Sequence, residues 1–299
     1  MFRLLTTGVA AAVVVVLLAM TVFLLARAWP AVRTAGGSFL TEREWFPDAV
    51  PARFGIAALV WGTIVSSVLA LALAVPVALG SALYVTEYAR PAVGRWIGYV
   101  VDVLAAVPSV VYGLWGLLFL VPRLVPVQRF LADHLGFVPF FRNPDDVYGK
   151  SVFAAAVVLA LMILPIVAAV SREVFRQVPL DLREAALALG ATRWEVIRTS
   201  VLPTSRSGVV GAVILGLGRA LGETIAVALV LASTFEIHLR ILEPGGNTIA
   251  ANIATKFGEA GDVGRSALIA SGLILFAITL AVTVAARGVI TRTSVVGRP

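Results

Sequence analysis

The chain has 299 residues, 60% of them hydrophobic and 14% charged, whereas an ordinary soluble domain is roughly half apolar and about a quarter charged. That balance excludes a disordered chain and argues against a water-soluble enzyme. The absence of cysteine excludes disulfides, thiolate metal sites and iron–sulfur clusters, and the net charge of +7 carries no basic run of the kind that binds nucleic acid.

The apolar excess falls in six windows, 8–26, 56–86, 103–122, 151–171, 207–235 and 266–286. A helix crosses the hydrocarbon layer in about 20 residues, and backbone groups in lipid must pair within the chain. Each window is therefore expected to be a transmembrane helix, giving an all-α fold with six spans. Arg3, an apolar run and the small residues Ala26 and Ala28 outline a secretory signal, but the length of the run favours a retained span. Trp29 and Trp61 lie near span ends, as interfacial aromatics do. Pro76 reads as a kink. Pro108 opens a PSVVYG stretch with Ser109 and Tyr112, and either kinks the third span or lines a pathway. Lys and Arg divide almost evenly between the two sides, so charge bias leaves the orientation open. His134 and His238 stand too far apart in sequence to suggest a metal pair. Gly149–Lys150–Ser151 imitates a phosphate loop, but Pro144 stands where its first glycine is required.

The segment after the fourth span is expected to form an elbow. Asp181 reads as an N-cap with Glu184 at N3, LREAALAL as a helix stopping at Gly190, and Thr192 with Glu195 as the start of a second short helix that Pro203 ends. Ala185, Ala186 and Ala188 allow close approach of a partner; an amphipathic surface pair without a partner has the same pattern. Inside the fifth window, Arg219 and Glu223 are four residues apart and are expected to share a helix face and pair. Charges near mid-bilayer cost about 2.5–3.5 kcal/mol each on insertion scales, so they face an interior, either as a structural lock or as a substrate contact. Gly211, Gly218 and Gly222 lighten the same region, which invites a neighbouring helix. An arginine fork matches phosphate or carboxylate.

EAALALG followed by LP resembles the cytoplasmic EAA loop of ABC importer permeases, with Glu184, Ala185, Ala186, Gly190, Leu202 and Pro203 matching and Ser200 replacing an isoleucine. The resemblance implies a type I, MetI-like permease fold. The loop (172–207) would dock on a separate ATPase, with the loop and both termini cytoplasmic. It also implies an N-terminal helix and extracytoplasmic loop (1–55), a permease domain (56–290) and a cytoplasmic tail (291–299). GRALGETIAVALV and AAVPSVVYGLWGL resemble the PstC-type permeases of phosphate-specific ABC transport systems. That resemblance implies a multi-pass subunit of a bacterial or archaeal cytoplasmic membrane that pairs with a PstA-like permease, a PstB-like ATPase dimer and a PstS-like phosphate-binding protein. ATP and Mg would be used by the ATPase, with no cofactor bound by this chain and no nucleic acid among its partners. The resemblance places Arg219 and Glu223 on the substrate pathway, and Pro108 with Ser109, if not a simple kink, would line it. A sister PstA-type subunit and a permease for another oxyanion are the alternatives.

Overall fold

The computed structural model describes residues 2–294. The chain begins with α1 (Phe2–Ala35), followed by a 3-10 turn (Gly36–Leu40) and a two-stranded antiparallel ribbon, β1 (Trp45–Phe46) and β2 (Arg53–Phe54). Next come α2 (Ala57–Leu83), α3 (Pro91–Ala106), α4 (Ser109–Trp115), α5 (Val121–Leu135) and α6 (Val152–Arg176). The remainder comprises α7 (Leu180–Ala188), α8 (Arg193–Val196), α9 (Leu202–Leu221), α10 (Ile225–Val230), α11 (Ile249–Lys256) and α12 (Asp262–Ser294). Residues 295–299, the end of the expected tail, lie outside the described residues; 291–294 belong to α12.

Among the described residues, six helical stretches are long and apolar enough to cross a membrane: Arg3–Leu40, Ala57–Tyr88, Ser109–Leu135, Val152–Arg176, Arg193–Leu221 and Asp262–Ala286. Four coincide with the expected windows. The third differs because Val107–Pro108 interrupts the helix, with Val107 extended at ψ 130°. Proline lacks an N–H and pushes the preceding residue out of the helical region, so α3 ends and the crossing is made by α4 and α5. The fifth also differs: the helix stops at Gly222, well short of residue 235, and starts earlier, at Arg193.

Helix α6 forms the centre. Its side chains Ala154, Ala155, Leu159, Met162, Ile163 and Val167 are buried. Along α2, Ala70, Ala74, Ala78 and Ala82 recur every fourth residue and are all buried, a small-residue stripe that lets α2 lie close against α6. On the other flank, Gly208 and Gly216 of α9 face Val174 and Val167 of α6, where a Cβ would come within 2.5 and 2.7 Å of those valines. A second cluster gathers Ala28 and Ala31 of α1, Trp45 and Phe54 of the ribbon, Leu59 of α2 and Leu268 of α12. Asp48 accepts hydrogen bonds from the N–H groups of Gly261 and Gly264, both 2.9 Å, which satisfies free donors at the start of α12 and ties the ribbon to it. The outer surfaces carry Leu4, Val16, Leu18, Phe23, Val68, Leu118 and Leu280 exposed. In water such a surface would aggregate; in hydrocarbon it is the solvated face.

Candidate translocation site and coupling elbow

The elbow is built by backbone chemistry at both of its turns. Helix α7 starts at Leu180 behind Pro179, which occupies the N-cap position without a side-chain cap. Asp181 is therefore not the N-cap; it lies in the first turn, where its charge suits the helix dipole. At the other end Gly190 adopts φ +81°, its N–H donates to Leu187 O (2.9 Å), and Ala191 N–H donates to Ala186 O (3.2 Å). This paired closure is the Schellman arrangement, for which glycine is suited. Thr192 and Glu195 form the expected capping box: Thr192 N–H donates to Glu195 Oε2 (2.7 Å), and Glu195 N–H donates back to Thr192 Oγ1 (3.4 Å).

Pro203 does not end the second helix. The chain stays helical from Arg193 to Leu221 through a π-turn at Ile197–Val201, immediately before the proline, so the elbow runs into the fifth crossing without a break. The wider turn shifts the hydrogen-bond register by one residue where Pro203 cannot donate. Leu202 and Ala186 pack on a small core formed by Ala82, Phe175, Val178, Val196 and Val201. Ser200 donates to Leu182 O at 3.3 Å and so joins α7 to the π-turn by a hydrogen bond. Glu184 and Ala185 point outward together with Leu187 and Leu189, the last 90% exposed. These leucines and Trp194, also exposed, were not singled out from the sequence, because an apolar residue in an amphipathic helix is first assigned to its buried face.

Around the intramembrane charges, α9 ends at Leu221 with Gly222 as its C-cap, and Glu223 lies beyond the helix. The expected ion pair is absent among the described residues. The reason is local: the i, i+4 geometry is lost at Gly222, and the buried Glu223 carboxylate instead accepts the N–H of Ala226 through Oε1 (3.2 Å), capping α10. Arg219 sits in the last turn of α9, where a cation suits the negative end of the dipole. Its Nε is buried and has no hydrogen-bond partner.

Pro108 is the N-cap residue of α4 and Ser109 its first helical residue. Neither makes a hydrogen bond or ion pair with Arg219, but the short helix they start crosses α10 closely. A Cβ at Gly113 would come within 2.6 Å of Ala226 Cα. The residues capped by Glu223 and those following Pro108 are thus in contact. Tyr112 completes the break: its hydroxyl donates to Leu104 O at 2.9 Å, the carbonyl that a residue with an N–H at position 108 would have paired. The expected close approach of a neighbour at Gly211, Gly218 and Gly222 is not made among the described residues. Gly211 and Gly218 have nothing within 4 Å of an added Cβ, and the close contacts fall on Gly208 and Gly216 instead.

Residues 74–295 match the family model described as binding-protein-dependent transport system inner membrane component. A phosphate transport system permease protein PstC 2 of Mycobacterium tuberculosis is 45% identical over 293 residues, covering 97% of this chain and 90% of the relative. This chain belongs to that family, as a PstC-type member. The PstC of Xylella fastidiosa (strain 9a5c) is 42% identical over 298 residues, covering 98% of this chain and 90% of that protein. In solved structures, a chain of a bacterial ABC transporter involved in the import of alginate superposes with TM-score 0.58 at 16% identity, over 97% of this chain and 99% of that one. A chain of the MetNI methionine ABC transporter superposes with TM-score 0.53 at 19% identity, over 80% and 94%. The PstC-type chain thus has the MetI-like permease fold and is a multi-pass membrane protein.

Proposed function

We propose that this chain is the permease subunit of an ATP-driven importer carrying inorganic phosphate across a bacterial or archaeal cytoplasmic membrane, with its elbow and both termini cytoplasmic. The observation that carries the reading is Arg219, a charged side chain within an apolar crossing, with its Nε buried and unpartnered and Glu223 turned elsewhere. An arginine left unneutralised in such a place is best explained by a transient anion. Relatives named phosphate permeases, at 41–45% identity, support phosphate as that anion.

In this reading a PstS-like binding protein delivers phosphate from the extracytoplasmic side to a cavity shared with a PstA-like permease. The open glycine face of α9 beside Arg219 supports such a second subunit. A PstB-like dimer binds ATP and Mg and engages Glu184 to Gly190, and the unbroken helix from Arg193 to Leu221 carries its closure to Arg219. Pro108 and Ser109 border the path where α4 meets α10. Replacing Arg219 by Gln should abolish phosphate uptake at matched membrane expression while the complex still assembles. Unchanged uptake would remove Arg219 from the path, and equal uptake of sulfate by the unaltered complex would replace phosphate by a broader oxyanion class.

A further inference from the structure

Among the residues of α7, only Arg183 and Ala186 are turned away from solvent. Ala186 fills the small core; Arg183 brings a charge to it. Its Nη2 lies 3.2 Å from Oε1 of Glu87 and donates to Phe175 O at 2.6 Å. Glu87 belongs to the π-turn Tyr84–Tyr88 that prolongs α2, and Phe175 is in the last turn of α6. A single guanidinium therefore touches the ends of two membrane helices and is itself carried by the elbow. From the second arm of the elbow, Arg193 Nη1 donates to Glu87 O at 3.3 Å.

This arrangement is not what the helix end alone would select. A carboxylate in the last turn faces the negative end of the helix dipole, and free carbonyls there call for donors. Glu87 is tolerable at that position because two arginines from the elbow surround it, one on its carboxylate and one on its carbonyl. The ion pair is largely shielded, with side-chain exposures of 19% for Arg183 and 10% for Glu87. Arg183 Nε and Glu87 Oε1 are both buried without a hydrogen-bond partner. The contact is thus a charge contact rather than an aligned, bidentate fork.

We infer that Arg183 and Glu87 are positioning residues for energy coupling: the pair transmits displacement of α7 to α2, in parallel with the covalent route through α8 into α9. Two routes matter because α2 and α9 both pack against α6 and also against each other. Moving α9 alone would shear it past both α6 and α2, whereas moving α2 and α9 together keeps their mutual contact and shifts them as a unit along α6. The inference rests on the reading of the elbow as the ATPase contact.

The test uses the complete complex in proteoliposomes, with the binding protein on the outer side, measuring phosphate uptake and ATP hydrolysis together. Arg183→Gln and Glu87→Gln should each lower uptake per ATP hydrolysed by about 5- to 150-fold, the span of ordinary coupling between sites. The ATPase should stay bound, because neither side chain lies on the outer face of α7. Arg183→Lys, which keeps the charge and a donor, should retain part of the ratio. A ratio unchanged in both Gln variants would overturn the inference, as would loss of the ATPase from either. If Arg183→Gln fails to accumulate in the membrane, Glu87→Gln, nearly isosteric, decides alone. Leu189→Glu tests the elbow reading separately: retained ATPase and uptake in that variant would overturn the reading whatever the Arg183 result.

Discussion

Tyr112 shows how one hydroxyl makes a helix break tolerable in lipid. Pro108 deprives Leu104 O of its regular donor, and Val107 N–H reaches that carbonyl only at 3.3 Å, whereas Tyr112 Oη–H reaches it at 2.9 Å. Tyr112→Phe should lower stability by about 1 kcal/mol, the usual net value of one hydrogen bond. If the hydroxyl acts by replacing the missing proline donor, the loss should shrink in a Pro108→Ala background, where the backbone can pair again. Thermal melts of the four proteins of that double-mutant cycle in detergent check this, and strictly additive losses would refute it. The sequence shows both residues but not their partnership, because the pairing depends on α4 leaving α3 at an angle that only the folded chain defines.

For the elements, the elbow was the most legible region because its signals are local. A threonine with glutamate three residues on, and a glycine where φ must be positive, specify a cap and a stop with no tertiary help. Gly190 isolates this effect: nothing lies within 4 Å of an added Cβ, so substitution there incurs backbone strain without a clash. Gly190→Ala should cost about 1–2 kcal/mol through the left-handed conformation, and Gly190→Asn less, since its side chain tolerates that region. Circular dichroism melts of the detergent-solubilised variants measure the ordering, and equal losses for Ala and Asn would point to contacts instead. Legibility failed where the outcome was set at long range or by competition. Hydropathy passes smoothly through Gly222, so from sequence the helix runs on and Arg219 faces Glu223. The N–H of Ala226 took the carboxylate instead. Pro203 reads as a terminator in sequence because a π-turn that absorbs a proline has no composition of its own. Arg183 and Glu87 lie on separate elements, and no spacing rule joins them.

Across the whole molecule, α9 has two unlike sides, and the difference bears on assembly. The side towards α6 is closed, with Gly208 and Gly216 pressed against Val174 and Val167. The other side, marked by Gly211, Leu215 and Gly218, is open, with Leu215 54% exposed. Lipid could solvate leucine there, but successive glycines gain nothing from lipid contact and lower helix propensity by about 1 kcal/mol each relative to alanine. Their use is close approach by another helix, and among the described residues none meets Gly211 or Gly218. Gly211→Leu therefore separates two effects of opposite sign. The isolated subunit should be stabilised by roughly 1 kcal/mol, because a good helix former replaces glycine where nothing is displaced. The pair with the second permease should be lost, because the leucine side chain holds the helices apart. Melting of the isolated subunit measures the first effect and co-purification of a tagged partner permease the second. A variant that melts higher and still binds its partner would show that the open face is turned to lipid, and would place the shared cavity on another side of α9.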